Sequence, residues 1–198
     1  FAAASQGFSE TLQLADALDY AWGEMMAQQG LGDMMRLNGE YGAAQALLSQ
    51  AVKLAADIGD QYEEIMGLCR LLRLYTYLGD RDRGQVIYQR LAQTLAATQP
   101  PKECRLNSLL AFSIRALYLE EVATALTYAQ QAQQIVQTGD LLSRSADAAM
   151  ILGHAQAAMQ QWPDATASYQ AAILYYAQLD NAVLAVEAQA GLAQLLRT

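Results

Sequence analysis

Residues 31–51 read Leu-Gly-Asp-Met-Met-Arg-Leu-Asn-Gly-Glu-Tyr-Gly-Ala-Ala-Gln-Ala-Leu-Leu-Ser-Gln-Ala. Ala44, Leu48 and Ala51 stand four and then three residues apart, which puts them on one face of a helix. The Asn38-Gly39-Glu40 break before them ends the apolar pattern that carries Leu31-Gly32. The stretch therefore reads as helix, tight turn, helix, and it recurs along the chain. Small residues return at Ala4, Ala44, Gly84, Ala125 and Ala165, with spacings of 40, 40, 41 and 40. Seven residues on come Thr11, Ala51, Leu91, Ala132 and Ala172, and between the two series lie Phe8, Leu48, Tyr88, Ala129 and Tyr169. The other helix has its own marker pair: Leu31-Gly32, Leu71-Leu72, Phe112-Ser113, Leu152-Gly153 and Leu192-Ala193. Internal periods of this length belong to repeat architectures, in which each unit buries its apolar face only by stacking on the next.

The turn signals keep the same period. One break per unit falls at Leu18-Asp19, Gly59-Asp60, Pro100-Pro101, Gly139-Asp140 and Leu179-Asp180. The other falls at Asn38-Gly39-Glu40, Gly79-Asp80 and Gln161-Trp162-Pro163-Asp164. Glycine suits the left-handed residue that closes a helix, Asp caps the next one, and Pro163 suits a helix start. The expected order is a lone second-type helix in 1–18, helix pairs in 20–58, 61–98, 101–138 and 141–178, and a lone first-type helix in 181–198. No strand-like alternation interrupts it. The expected fold is an all-α solenoid, an α-α superhelix of antiparallel helix pairs forming one repeat domain over 1–198. The start at Phe1 suggests a piece of a larger protein.

Composition fits. The 198 residues hold 38 Ala and 23 Gln but only 3 Pro, a mixture that costs little in a helix. With 12 Lys+Arg against 20 Asp+Glu the net charge is −8, which repels phosphate backbones and anionic lipid, so neither nucleic acid nor membrane is expected as a direct partner. The same charge favours basic partners. No apolar run reaches the roughly 20 residues of a membrane span. Cys69 and Cys104 with the single His154 make no zinc spacing and suit a reducing cytoplasm, although two cysteines could still pair. No metal, cofactor or enzymatic activity is expected. Asp80-Arg81-Asp82, Glu63-Glu64 and Glu120-Glu121 sit at or near helix starts, where carboxylates cap N–H groups and favour the dipole.

Leu31-Gly32, Gly39, Tyr41, Ala44 and Ala51 resemble, in order, the tetratricopeptide (TPR) pattern, and Leu152-Gly153, Trp162, Ala165, Tyr169 and Ala172 repeat much of it. The units at 61–97 and 102–137 depart from it, with Gly84 and Leu91 where Ala is usual and Phe112-Ser113 in place of Leu-Gly. The 40-residue period exceeds the ~34 of the standard repeat. Together with the Ile58-Gly59-Asp60 and Leu78-Gly79-Asp80 breaks, it resembles the sensor arrays of MalT-type bacterial transcriptional regulators.

The resemblance implies that the first helix of each unit lines a concave groove. Positions −2, +2 and +5 from each marker give Gln29, Asp33, Arg36; Cys69, Arg73, Thr76; Leu110, Ile114, Leu117; Met150, His154, Ala157; and Ala190, Gln194, Arg197. Tyr77 and Tyr118 lie beside this stripe. A groove of Gln29, Asp33, Arg36, Arg73, Tyr77, Leu110, Ile114, Tyr118, Met150 and His154 is the expected binding surface. A one-residue change of register would instead make Leu110, Ile114 and Leu117 core, and His154 on such a face can equally be structural. The two-carboxylate clamp of some family members needs Lys and Asn where this chain has Gln29, Asp33, Cys69 and Arg73, so that activity is not implied. Two functions remain. One is a non-catalytic interaction module of a larger bacterial signalling or regulatory protein, holding a peptide, a partner segment or another domain of its parent. The other is a small-molecule effector sensor of MalT type. The uncovered terminal helices add an expectation of self-association.

Overall fold

The computed structural model describes residues 2–137 and 142–195. All regular structure in them is helical. The helices are α1 (Ala2–Ala17), α2 (Ala21–Leu37), α3 (Tyr41–Asp57), α4 (Gln61–Tyr77), α5 (Arg81–Ala97), α6 (Lys102–Tyr118), α7 (Val122–Gln137), α8 (Leu142–Ala158), α9 (Trp162–Gln178) and α10 (Ala182–Leu195). Their limits fall within a residue or two of the breaks in the sequence. The Gly139-Asp140 break and Arg197 lie outside the described residues.

Seven of the described turns between helices share one closure. The residue after each turn donates its N–H back five positions: Tyr20 to Ala15, Glu40 to Met35, Asp60 to Ala55, Asp80 to Tyr75, Glu121 to Ala116, Gln161 to Gln156 and Asn181 to Tyr176, at 2.8–3.0 Å. The residue before it is left-handed. Gly39, Gly59 and Gly79 fill that place as expected, but so do Asp19, Glu120, Gln160 and Asp180, with φ from 51° to 63°. Asp19 and Asp180 therefore close the helix before them, whereas Asp60 and Asp80 cap the helix after them by accepting from Glu63 N–H and Arg83 N–H. Pro100-Pro101 makes the different break: α5 ends on an extended Thr98.

The chain divides into two compact units, Phe1–Cys104 and Arg105–Thr198. In the first, α1 packs on α2, α2 on α3, α3 on α4 and α4 on α5. Ala44, Leu48, Ala51 and Leu91 have no exposed surface, and Ile65, Leu68, Leu71, Leu72 and Leu74 fill the interior of α4. In the second, α8 packs on α7 and α9, and α10 on α9. Leu106, Leu110, Ala125, Ala129, Ala132, Ala148, Ile151 and Ala155 form one core cluster there, and Ala146, Ala149, Ala172, Tyr176 and Ala188 a second. Close helix approach depends on the small residues. A Cβ on Gly32 would come within 2.8 Å of Leu48 Cγ, and one on Gly153 within 3.0 Å of the Tyr169 ring. Ser113 stands at the equivalent of these glycines, and its buried hydroxyl donates to the Ala125 carbonyl of α7 at 2.9 Å. That bond gives the departing Phe112-Ser113 pair a physical role, since the hydroxyl is satisfied where a glycine would leave space.

Candidate binding face

In the first unit, α2 and α4 carry a polar row. Asp33 accepts from Arg70 Nε at 3.1 Å and pairs with Arg36 Nε at 3.8 Å. Arg73, one turn on from Arg70, is half-buried, and its Nε and Nη2 are buried. Gln29 donates to Glu63 at 3.0 Å across the same two helices and is only 2% exposed. It joins α2 to α4 and presents almost no surface. Tyr77 is 73% exposed, and its hydroxyl accepts from Tyr41 Oη of α3 at 3.2 Å with the rings 5.4 Å apart. That hydrogen bond holds the Tyr41 hydroxyl above its ordinary pKa, with desolvation acting in the same direction and Arg36 opposing. Arg70 and Tyr41 are members of this face that fixed offsets along the first-type helices do not select. The signals for them were present: Arg70 is i−3 from Arg73, and Tyr41 opens the helix after the Arg36 turn.

The second unit differs. Leu110 has no exposed surface and belongs to the core cluster, and Ile114 and Leu117 pack against it. Gln29 and Cys69, at the same place in the period, are likewise buried, at 2% and 3% exposure. Tyr118 remains 39% exposed. Met150 receives the Tyr176 hydroxyl at 3.9 Å, and the same hydroxyl donates to Asp147 at 2.8 Å. Asp147 in turn pairs with Arg144 at 3.3 Å. His154 Nδ1 lies 2.7 Å from Tyr169 Oη, with the rings edge to face. Burial pushes the His154 pKa down, partly offset by Glu187, and pushes the Tyr169 hydroxyl up to about 12. The imidazole is thus a neutral partner of a buried tyrosine. Arg36, Arg73 and Tyr77 belong to the first unit, and Tyr118, Met150 and His154 to the second.

No group of three or more His, Cys, Asp or Glu side chains among the described residues is placed to hold a metal ion. Cys69 and Cys104 are buried thiols. Burial, aided by the nearby Cys69, pushes the Cys104 thiol up to about 12, so the thiolate that a nucleophile or soft-metal ligand needs is disfavoured. Among the described residues no helix is long and apolar enough to cross a membrane.

No family model matches the chain, and no curated protein matches it. Among solved structures, the chain is similar to YrrB, a TPR protein with an unusual peptide-binding site, at 14% identity over 97% of this chain and 93% of that one, with a TM-score of 0.47. It is also similar to the TPR2AB domain of yeast Sti1, in its pHSP90 complex, at 15% identity over 98% of this chain and 96% of that one, with a TM-score of 0.38. At those levels neither likeness carries a ligand, a partner or a residue role to this chain.

Proposed function

We propose that the chain is a non-catalytic protein-interaction module that holds a peptide or partner segment on the exposed face of its first-type helices. The observation that carries this reading is the row Asp33, Arg36, Arg73 and Tyr77 in the first unit. Asp33, Arg36 and Arg73 are partly exposed and Tyr77 largely so, on helices whose Met25, Ala27, Leu68 and Leu72 are buried in packing. In the second unit Ile114, Tyr118, Met150 and His154 make up the corresponding part of the proposal, with the last two also tied to Tyr176 and Tyr169. The long period and the Ile58-Gly59-Asp60 and Leu78-Gly79-Asp80 breaks support a place within a larger bacterial signalling or regulatory protein, as one repeat domain of it. The two buried thiols, Cys69 and Cys104, support a cytoplasmic setting. Self-association through α1 and α10 is part of the same proposal.

A thermal-shift panel of short peptides, sugars, nucleotides and amino acids tests it. A ligand at 100 times its dissociation constant stabilises the folded chain by about 2.7 kcal/mol, a readily measured shift. Stabilisation by peptides, lost in the Arg73→Ala, Tyr77→Ala double variant, is the expected result. Stabilisation by one class of small molecule and by no peptide would replace this reading with that of an effector sensor.

A further inference from the structure

Leu18, Tyr20 and Trp22 surround the turn from α1 to α2, Ile58 and Tyr62 flank the turn from α3 to α4, and all five are exposed. Both turns lie at one end of the first unit, because α1 packs on α2, α2 on α3 and α3 on α4 with a tight turn between successive helices. Met25 and Ala55 share a buried cluster, so Trp22, a turn before Met25, and Ile58, a turn after Ala55, leave the same end of the α2–α3 contact. Tyr20 is 53% exposed yet seated: a Cβ on Gly23 would come within 2.6 Å of its ring, which stands 6.2 Å from that of Trp22. Among these apolar groups stand carboxylates that helix stability does not account for. Asp16 lies in the last turn of α1 and Asp57 is the last residue of α3, where the helix dipole disfavours a negative charge. Asp19 follows α1 in the left-handed place. All three are exposed, and their side chains make no ion pair among the described residues. The other carboxylates of this end are engaged: Asp60 caps α4, Glu24 and Glu63 accept from Gln28 and Gln29, and Glu64 pairs with Arg90 at 2.7 Å. Lys53 stands one turn before Asp57, and Lys102 follows α5 beside Glu103. Lys53, Arg90 and Lys102 are outnumbered, and the end stays acidic.

We propose that this apolar end of the first unit docks a protein segment that combines lysine or arginine with apolar residues. It lies at the opposite end of α2 and α4 from Arg36 and Tyr77, and it does not rest on the reading of that face. Exposed aromatic groups gathered in one place are the usual anchors of an interface. A cationic side chain can lie over the Tyr20 or Trp22 ring and meet Asp16, Asp19 or Asp57 through charge-assisted hydrogen bonds. Leu18 and Ile58 take the apolar side chains between them. Carboxylates kept against the helix dipole fit a surface that serves binding at some expense of stability. The net charge of −8 draws a basic segment towards the chain, and the exposed rings decide where it stops. The same charges repel polyanions and anionic lipid.

The chain has two tryptophans, so Trp162→Phe leaves Trp22 as the sole one, and its emission then reports this end. A short amidated Lys-Leu peptide should shift that emission saturably to the blue, with an affinity that falls as salt rises. A Lys-Ser peptide of equal charge should bind about tenfold more weakly for want of apolar burial, and a Glu-Leu peptide should leave the emission unchanged. Anisotropy of the labelled Lys-Leu peptide with the unaltered chain should give the same affinity. Asp16→Asn with Asp57→Asn should weaken binding about threefold or more without lowering the melting temperature, since neither carboxylate supports its helix. A structural role would lower both together, and that result would overturn the assignment. Equal binding of the Lys-Ser or Glu-Leu peptide would overturn it too, as would peptide binding that leaves Trp22 emission unmoved, which would place the peptide elsewhere. An emission that changes with protein concentration alone would give the end to a second copy of the chain instead.

Discussion

His154 and Tyr169 share a hydrogen bond in a place where an imidazolium is poorly tolerated. The folded-state pKa of His154 lies below its ordinary value because burial disfavours the charged form. The unfolded chain therefore binds the proton more readily. Stability from this group is complete above the unfolded pKa of about 6.5 and is lost as pH falls below it. The melting temperature of the chain should accordingly drop more steeply below that pH than the melting temperature of His154→Gln. Parallel curves would show that His154 titrates alike in both states. The Tyr169 ring sets a second prediction. A Cβ added at Gly153 would stand 3.0 Å from it and one at Gly191 2.8 Å. The ring is buried and its hydroxyl is tied to His154, which leaves it little room to shift, so Gly153→Ala should cost about 1–3 kcal/mol. A Cβ on Gly84 meets only Tyr75 Cβ at an ordinary 3.7 Å, so Gly84→Ala should stabilise by about 0.5–1 kcal/mol through helix propensity. Denaturant melts of the two variants should shift in opposite directions. At this scale the sequence was only partly legible. Arg36, Arg73 and Tyr77 could be picked out because they follow the repeat, but Arg70 meets Asp33 through the offset between two helices, which no count along one helix contains. Leu110 stands at the place in the period held by Gln29 and Cys69, and all three are buried, which an offset counted along one helix does not reveal.

At the scale of elements, the helices were legible because their limits are set locally. Seven of them end where a left-handed residue allows the closing bond, and the sequence marks three of those places with Gly39, Gly59 and Gly79. The turns at Asp19, Glu120, Gln160 and Asp180 close the same way on side chains that pay a steric cost of about 1–2 kcal/mol in the left-handed region. Asp19 and Asp180 look like caps in the sequence, and only backbone geometry shows them to be closers. Gln160 has φ 61° and is exposed, so a glycine there needs no new space. Gln160→Gly should stabilise by roughly 0.5–1 kcal/mol, the relief of strain less the added freedom of the unfolded chain. A melting temperature that falls would mean that the Gln160 side chain contributes a contact worth more than the strain. Gly39→Ala at φ 82° should do the reverse, since the alanine Cβ is strained whatever the space around it.

For the whole molecule, the repeat that organises the interior also leaves two faces uncovered. Ala44, Ala51, Ala165 and Ala172 have no exposed surface, but Ala4 and Thr11, at the same places in the period, are exposed on α1. On α8, Ala146 and Ala149 are buried at 0% and 2%, whereas their counterparts Val186 and Gln189 on α10 are exposed, Val186 at 61% and its neighbour Val183 at 79%. The face of α10 is the kind that a second-type helix covers elsewhere in the chain, and α1 is a second-type helix with the matching row of small residues. Contact between α1 of one copy and α10 of another would be heterologous, and a heterologous contact whose rotation does not close produces open chains of variable length. The average mass from light scattering should therefore rise steadily with concentration and not level off at a dimer. Val183→Glu with Val186→Glu should hold the mass at that of one chain, because two carboxylates would have to be buried on each contact. A plateau at twice the mass of one chain would indicate a symmetric pairing of like ends. A mass independent of concentration in the unaltered chain would show that the apolar area on α10 is too small to hold a second copy.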